Sequence, residues 1–331
     1  MNGLYILDKA FFSRIYGERD RKEIETLLTV VHPPMTTEQV RDNPEVLKDI
    51  DIIISGWGAP LLDQRFLDNA PRLKAIFYGA GSIRNIVTDA FWKRDIIITS
   101  SWAANALPVA EFTEAAVVLS LKHAWGLSAM TKRERTFMIP DEGNIPGLYG
   151  AKVGVVSLGK IGRLVCLRLL SHDLELFAYD PYTSPEYAHQ MGVQLSGLEE
   201  VFETCDVVSL HTPLLKETCG MIRGTHLESM KPNATFINTA RGALVNEKEM
   251  IEVLRKRPDL RAVLDVTDPE PPQTDSALYE LPNVTLTPHI AGSHGAECRR
   301  MGRYAIEELK RYLNGQPLKW RITKEAFQSM A

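Results

Sequence analysis

The sequence predicts an α/β protein built from two doubly wound parallel-sheet domains, and three observations predict it. Short apolar, β-branched runs alternate with stretches of helical spacing, as parallel sheets with crossover helices require. The alternation breaks at a turn-rich segment, PDEGNIPGLYGAK (140–152), and then begins again. At 331 residues the chain exceeds one ordinary core and suits two domains.

The first series of strands reads LYILD, IDIIISG, LKAIFYGAG and RDIIITSS. Between them, Glu18–Val30 and Leu62–Asn69 carry apolar residues at helical spacing and would cover the sheet faces. The second series has six strands: KVGVVSL, LELFAYD, CDVVSLHTP, ATFINTA, LRAVLDV and NVTLTPH. Six is the number of a full dinucleotide-binding sheet. Joining the two series, LPVAEFTEAAVVLSLKHAWG is apolar nearly all round, with Pro108 placed to suit a first helical turn. A helix of that kind must be buried, in an internal seam or against a second subunit. MGRYAIEELKRYLNG, closed by Gly315, is amphipathic and has no strand to follow, so it is expected to return to the first domain.

Composition narrows the function. Hydrophobic residues make up 44% and charged residues 24%, and no apolar run approaches ~20 residues, so no membrane span is expected. MNGLYILDKAFF lacks the basic region, apolar core and cleavage site of a secretory signal, so a cytoplasmic location is expected. Cys166, Cys205, Cys219 and Cys298 form no C-x-x-C pair and are expected to be small core residues, neither zinc ligands nor disulfides. A net charge of -4 offers nucleic acid no attraction, and the basic cluster Lys132-Arg133-Glu134-Arg135 reads as a solvated helix end. The histidines outside the sites below, His32, His123, His172, His189, His226 and His294, form no metal-ligand spacing, and no metal is expected.

The strand 152–158 runs into SLGKIG, a degraded G-x-G-x-x-G in which Ser157 replaces the first glycine. Its context is that of a Rossmann βαβ unit. Apolar residues follow at helical spacing over Ile161–Leu170, and Asp180 closes the next strand, near the ~20-residue distance of an acid that reaches ribose hydroxyls. Gly159 would let the backbone approach a pyrophosphate, with Lys160 and Ile161 opening the helix, and Gly162 would let helix and strand pack closely. Ser157 is expected to have negative φ, which needs no glycine, and to offer its hydroxyl to a phosphate or to the helix as a cap. A carboxylate at 180 accepts from the 2′-hydroxyl of NAD but repels the 2′-phosphate of NADP, and Pro181-Tyr182 supplies no arginine, so NAD is favoured.

Ligands of open α/β sheets sit outside the carboxyl ends of the strands. The residues there are reactive ones: Thr239-Ala240-Arg241-Gly242 after ATFIN, the loop to Glu270 after RAVLDV, and Pro288-His289 after NVTLT. Arginine, carboxylate and imidazole are thereby expected at one sheet edge.

With SLGKIG, HTPLLKET, NTARGALV, LDVTDPEP and TPHIAG in this order and spacing, the chain resembles the D-isomer-specific 2-hydroxyacid dehydrogenases from about residue 45 to 310. The resemblance implies catalysis by Arg241, Glu270 and His289 and a substrate carboxylate held by backbone amides in YGAGS (Tyr78–Ser82), at Ala80 and Gly81 with Arg241. It implies a flavodoxin-like, discontinuous substrate domain (1–103 plus 293–331), a Rossmann NAD-binding domain (104–292) and a homodimer through the helix near 108–127. His211, Thr212 and Pro213 resemble the loop on the adenine and ribose side, with Thr218 a nearby donor. Thr239, Ala240, Arg241 and His289 would lie by the nicotinamide, Ala291 and Gly292 would allow its close approach, and Asp265 would accept from its carboxamide or anchor the loop to Glu270.

The expected reaction moves hydride between nicotinamide and the carbonyl carbon of a small 2-oxo acid. Arg241 would orient the substrate and polarise its carbonyl, and His289 would carry the proton. Glu270 would fix the tautomer of His289 and favour its charged form. Two departures from the family pattern are visible, Ser157 and the run Ser82-Ile83-Arg84-Asn85, where the usual acidic residues are absent. Trp57, Tyr78 and Trp102 are placed to line a pocket or to be core. Glutamine replaces Glu270 in formate-oxidising relatives, which disfavours that reaction. An NADH-sensing binding protein like the corepressors on this scaffold, or phosphite oxidation, are the alternatives.

Overall fold

The computed structural model describes residues 1–137 and 145–330, so the part of the turn-rich break at 140–144 lies outside the described residues. The chain divides into two compact units, Met1–Asn105 with Ser293–Ala331, and Ala106–Gly292.

The first unit begins β1 (Asn2–Ile6), α1 (Lys9–Ile15), α2 (Glu18–Leu27), β2 (Thr29–Val30) and α3 (Thr37–Asp42). It continues β3 (Ile52–Ser55), α4 (Gln64–Asn69), β4 (Ala75–Tyr78), α5 (Asp89–Trp92) and β5 (Ile97–Ser100). The five strands are parallel in the order β2-β1-β3-β4-β5, the flavodoxin-like order. Four of them were expected. The fifth, β2, falls at the end of the stretch expected to be helical to Val30, because the β-branched pair Thr29-Val30 pairs in parallel with Asn2 and Gly3 of β1 instead. Leu62 likewise bridges to Val87, and the helix starts at Gln64 because Asp63 accepts from Phe66 N at 2.8 Å as its cap.

Next comes α6 (Trp102–Leu121), followed by α7 (Ala124–Glu134). The helix α6 starts five residues before the expected one, so Pro108 lies inside it. The preceding residues Ala103, Ala104 and Ala106 favour helix, and the Ser100 hydroxyl takes Trp102 N at 3.2 Å, so the helix is established before the proline is reached. By length and mean hydropathy α6 would pass for a membrane span, which corrects the expectation of no apolar run near that length; more than half of it is buried, as in a core helix. Its Glu111 and Glu114 pair with Arg168 at 2.6 and 3.2 Å. His123, with φ 50°, separates α6 from α7, whose basic end is exposed.

The second unit continues β6 (Lys152–Val156), α8 (Lys160–Leu169), β7 (Glu175–Tyr179), α9 (Pro185–Gln190), β8 (Gln194–Leu195) and α10 (Leu198–Thr204). It closes with β9 (Val207–Leu210), α11 (Gly224–Glu228), β10 (Thr235–Asn238), α12 (Glu247–Lys256), β11 (Arg261–Leu264) and β12 (Val284–Leu286). All seven strands are parallel, ordered β12-β11-β10-β9-β6-β7-β8, a Rossmann sheet with one strand more than the six expected. The extra one is β8, two residues at the edge. Its faces are filled by Val153, Val155, Val165 and Leu169 on one side and Phe202, Val208, Phe236 and Leu264 on the other.

The chain then adds α13 (Glu297–Leu313) and α14 (Lys324–Ser329) to the first unit. Helix α13 packs Met301, Ala305, Ile306 and Leu309 with Leu7, Ile15 and Ile54, and Gly315, at φ 63°, ends it. Tyr78 is buried in the core of this unit, and Trp57 and Trp102 are partly buried against it, Trp102 edge-on to Trp320. Cys166, Cys205 and Cys298 are buried, and burial pushes the Cys166 thiol up to about 12. Cys219 departs from the expectation: it is exposed.

Candidate active site

Strand register determines what meets at the sheet edge. Asn238 of β10 is level with Leu264 of β11, which is level with Leu286 of β12. The residues following these strands therefore emerge side by side.

His289 and Glu270 meet there. His289 Nδ1 lies 2.5 Å from Glu270 Oε1, and both side chains are nearly half exposed. His289 has φ 53°, a left-handed conformation fixed by its N–H donating to Asp265 O and Thr287 O, each at 3.0 Å. Below it, the buried Asp265 carboxylate accepts from Thr287 Oγ1 (2.6 Å), Ile290 N (2.8 Å) and Ala291 N (2.9 Å). Three of its roughly four acceptor positions thus hold the His289 loop. These side-chain bonds go to the loop of His289, where anchoring of the loop to Glu270 was one of the two expected roles.

Arg241 is brought close by a glycine. A Cβ on Gly242 would stand 2.0 Å from the carbonyl carbon of Thr267, so only glycine lets the β10 and β11 loops touch. Asn238 bridges its own loop, donating to Arg241 O at 2.9 Å and accepting from Ala240 N at 3.0 Å. Arg241 Nη1 donates to Ala240 O at 2.6 Å. Burial lowers the pKa of this guanidinium and the Glu270 charge opposes the shift; it remains a cation at any working pH.

The turn expected to bind phosphate is present, with one surprise. Ser157 has φ 80°, not the negative value expected, so the bend does call for glycine and serine occupies it at a cost. Its hydroxyl faces Asp180 Oδ2 at 3.5 Å, and the N-cap of α8 is Gly159, so Ser157 does not cap the helix. Asp180 holds the turn more firmly through Leu158 N at 2.7 Å, and its other oxygen accepts from Tyr182 N in its own loop at 2.8 Å. A Cβ on Gly162 would meet Ser157 O at 2.0 Å, whereas one on Gly159 would meet nothing closer than Ser157 Oγ at 3.9 Å. Gly162 is therefore needed for packing, and Gly159 leaves room for a ligand beside exposed Lys160 and half-buried Ile161 at the start of α8.

The remaining expected cofactor residues fall on the neighbouring loops. Buried His211 bonds Ser209 Oγ through Nε2 at 2.9 Å, its Nδ1 has no partner among the described residues, and burial pushes its pKa down to about 3. Buried Thr212 and half-buried Pro213 follow it. Thr218 is not available as a donor, because its one proton goes to Pro213 O at 2.6 Å and closes the loop. The Thr239 hydroxyl faces Thr113 of α6 at 3.2 Å, and Ala240, Ala291 and Gly292 line the same strand ends.

In the first unit, Ala80 is buried and Gly81 half-buried just beyond β4. Ser100 and the segment Lys319–Met330, which hold that loop, were not singled out in the sequence. Among the described residues no group of three metal-binding side chains occurs.

A family model described as "D-isomer specific 2-hydroxyacid dehydrogenase, NAD binding domain" matches residues 116–291. The chain belongs to the D-isomer specific 2-hydroxyacid dehydrogenase family. Residues 116–291 are its NAD-binding domain, and the space over Gly159 at the start of α8, next to the Asp180 carboxylate, fits that cofactor. Among relatives, a D-3-phosphoglycerate dehydrogenase of Methanocaldococcus jannaschii is 32% identical over 275 residues, 82% of this chain and 51% of that one. A glyoxylate reductase of Korarchaeum cryptofilum is 29% identical over 274 residues, 82% of each chain. This dehydrogenase-family chain spans about half the length of the phosphoglycerate dehydrogenases it matches. Among solved structures, the TT0316 protein of Thermus thermophilus is 27% identical, with a TM-score of 0.77 over 98% of this chain and 100% of that one.

Proposed function

We propose that the protein is an NAD-dependent D-2-hydroxyacid dehydrogenase that reduces a small 2-oxo acid, with Arg241, Glu270 and His289 as its catalytic residues. The observation that carries this reading is the His289–Glu270 pair at 2.5 Å, on a loop anchored by Asp265 and beside the Arg241 loop.

When bound, NADH supplies the hydride that adds to the carbonyl carbon of the substrate. Arg241 binds the substrate carboxylate and carbonyl oxygen and stabilises the negative charge that develops on that oxygen. With Nδ1 engaged by Glu270, Nε2 of His289 is the nitrogen left to hold the proton that moves to the oxygen. The backbone at Ala80 and Gly81 is assigned to the substrate carboxylate. Ser157, Gly159, Lys160, Ile161 and Asp180 are assigned to the pyrophosphate and ribose of NAD; His211, Thr212 and Pro213 to the adenine side; and Thr239, Ala240 and Gly292 to the nicotinamide side. Asp180 selects against the 2′-phosphate of NADP.

The relatives' names suggest glyoxylate and the oxidised form of 3-phosphoglycerate as first substrates to try. We further assign a homodimer through residues 108–127, which form most of α6 and the start of α7 and not the one helix expected, where Leu119 is 40% exposed, and a cytoplasmic site of action in keeping with four free cysteines.

The test is NADH consumption against a panel of 2-oxo acids. Arg241→Ala should lower turnover on the order of 10²–10³-fold. Tight NADH binding with no turnover on any of them would overturn the enzyme reading in favour of a sensor, and oxidation of phosphite in place of hydroxy acids would overturn the substrate class.

A further inference from the structure

The expected substrate loop is held from outside by a part of the chain that the reaction does not use. Residues 320–322 lie antiparallel along β5, the open edge of the first sheet: Ser100 N donates to Trp320 O at 3.2 Å, Ile322 N to Ile98 O at 2.9 Å, and Arg321 bridges Thr99. Their approach is fixed by Glu308, a buried carboxylate that accepts from Trp320 N at 2.9 Å and Lys319 N at 3.2 Å and pairs with Arg311. Trp320 is stacked on Tyr304 on one side and set edge-on to Trp102 on the other.

Two connections run from this segment to the loop at Gly81. Ser100, whose N–H is held by Trp320 O, donates its hydroxyl to Ala80 O at 2.9 Å and also contacts Gly81 O. Ser101 N adds a bond to Ala80 O at 3.0 Å. In a planar trans peptide the N–H points opposite the C=O, so fixing Ala80 O toward Ser100 fixes Gly81 N–H away from it. The second connection is Arg84, three residues after Gly81. Its Nε donates to Met330 O at 2.6 Å, Nη2 donates to Phe327 O at 3.2 Å, and the guanidinium lies 5.1 Å over the Phe327 ring, which itself packs on Trp92. Covering a sheet edge requires only the bonds of 320–322. Continuing into α14 to grip Arg84 does nothing more for that edge and fixes the other side of the loop.

We propose that Lys319–Met330 is a strap that sets the Ala80–Gly81 peptide for binding of the substrate carboxylate, with Ser100 and Arg84 as positioning residues. The proposal rests on the assignment of that peptide to the carboxylate made above. It accounts for Arg84 in a loop that lacks the family's usual acidic residues: the guanidinium faces carbonyl oxygens of the strap, where a carboxylate would serve no purpose.

The test uses Ser100→Ala and Arg84→Ala in the full chain. For the 2-oxo acid that the unaltered protein reduces, KM should rise about tenfold in each, kcat should stay within about threefold, and NADH affinity should not change, because the loop is misplaced while the chemistry and cofactor site are intact. Methylguanidinium added to Arg84→Ala should lower KM again, and Ser100→Thr should lie closer to the unaltered protein. Phe327→Ala, which leaves the loop's own residues in place, should speed amide hydrogen exchange across residues 79–85. An unchanged KM in both Ser100→Ala and Arg84→Ala, or exchange at 79–85 unaffected by Phe327→Ala, would overturn the strap. A rise in KM accompanied by losses of kcat and NADH affinity would also overturn it, as general unfolding. If no 2-oxo acid is turned over by the unaltered protein, the enzyme reading has failed, and the exchange result still decides whether the strap holds the loop.

Discussion

Replacing Ser157 with glycine should make the protein more stable. At φ 80° a side chain crowds the following carbonyl, a cost of about 1–2 kcal/mol that glycine avoids. Glycine returns about 0.5–1 kcal/mol of that gain through the extra freedom of the unfolded chain. The hydroxyl's contact with Asp180 Oδ2, at 3.5 Å, is at the limit of a hydrogen bond and is worth a few tenths of a kcal/mol at most. The net expectation is about 0.5–1 kcal/mol of stabilisation, a rise in Tm of about 1–4 °C for a unit of this size. Calorimetry of Ser157→Gly beside Ser157→Ala checks it. The alanine variant keeps the crowding and loses only the weak contact, so its Tm should match or fall slightly below that of the unaltered protein. A glycine variant that melts more than about 2 °C lower would refute the strain argument and show the serine side chain supporting the turn.

Three other variants follow from the same geometry. Glu270→Ala removes the acceptor that orients His289 through Nδ1 at 2.5 Å, so kcat for reduction should fall about tenfold or more, and an unchanged kcat would count against the pairing. Asp180→Ser should cut the preference for NADH over NADPH at least about tenfold in competing-cofactor kinetics, and should lower Tm because the N–H groups of Leu158 and Tyr182 lose their acceptor. Arg303 and Lys310 hold Glu23 at about 2, well below the usual carboxylate value of 4.5, so this stabilisation is present above about pH 4.5 and is lost as pH falls toward 2. After allowance for solvent screening, Glu23→Gln should cost about 1–2 kcal/mol at pH 7 and nothing near pH 2, as measured by urea unfolding across pH.

Much of the fold was legible because its strands are apolar and bounded by turns. What escaped were elements whose cause is a partner and not their own composition. Strands β2 and β8 have two residues each and exist because an adjacent edge offers hydrogen bonds. The early start of α6 depends on the Ser100 hydroxyl, which also serves Ala80 and Gly81, so one serine decides a helix start and a loop position. Thr218 looked like a ligand donor by its place in HTPLLKET, and only the structure shows its proton committed to Pro213 O. Ser157 was misread for a related reason: the sequence names the residue at the bend but not its φ, and Asp180, 23 positions on, helps hold the bend where it is.

The candidate catalytic residues were legible for the opposite reason. Arginine, glutamate and histidine follow three parallel strands whose register places Asn238, Leu264 and Leu286 level, so the topology alone brings Arg241, Glu270 and His289 to one edge. What the topology leaves undecided is the last few ångströms, and those depend on residues with little chemistry of their own. Gly242 matters because Thr267 occupies the space a Cβ would need. Asp265 matters because its buried carboxylate accepts two backbone N–H groups from the loop that carries His289, which holds the imidazole in a left-handed turn and within reach of Glu270. Reading chemistry from sequence therefore brings the candidate groups to one edge, whereas the groups that aim them become visible only when each buried donor and acceptor has been followed to its partner.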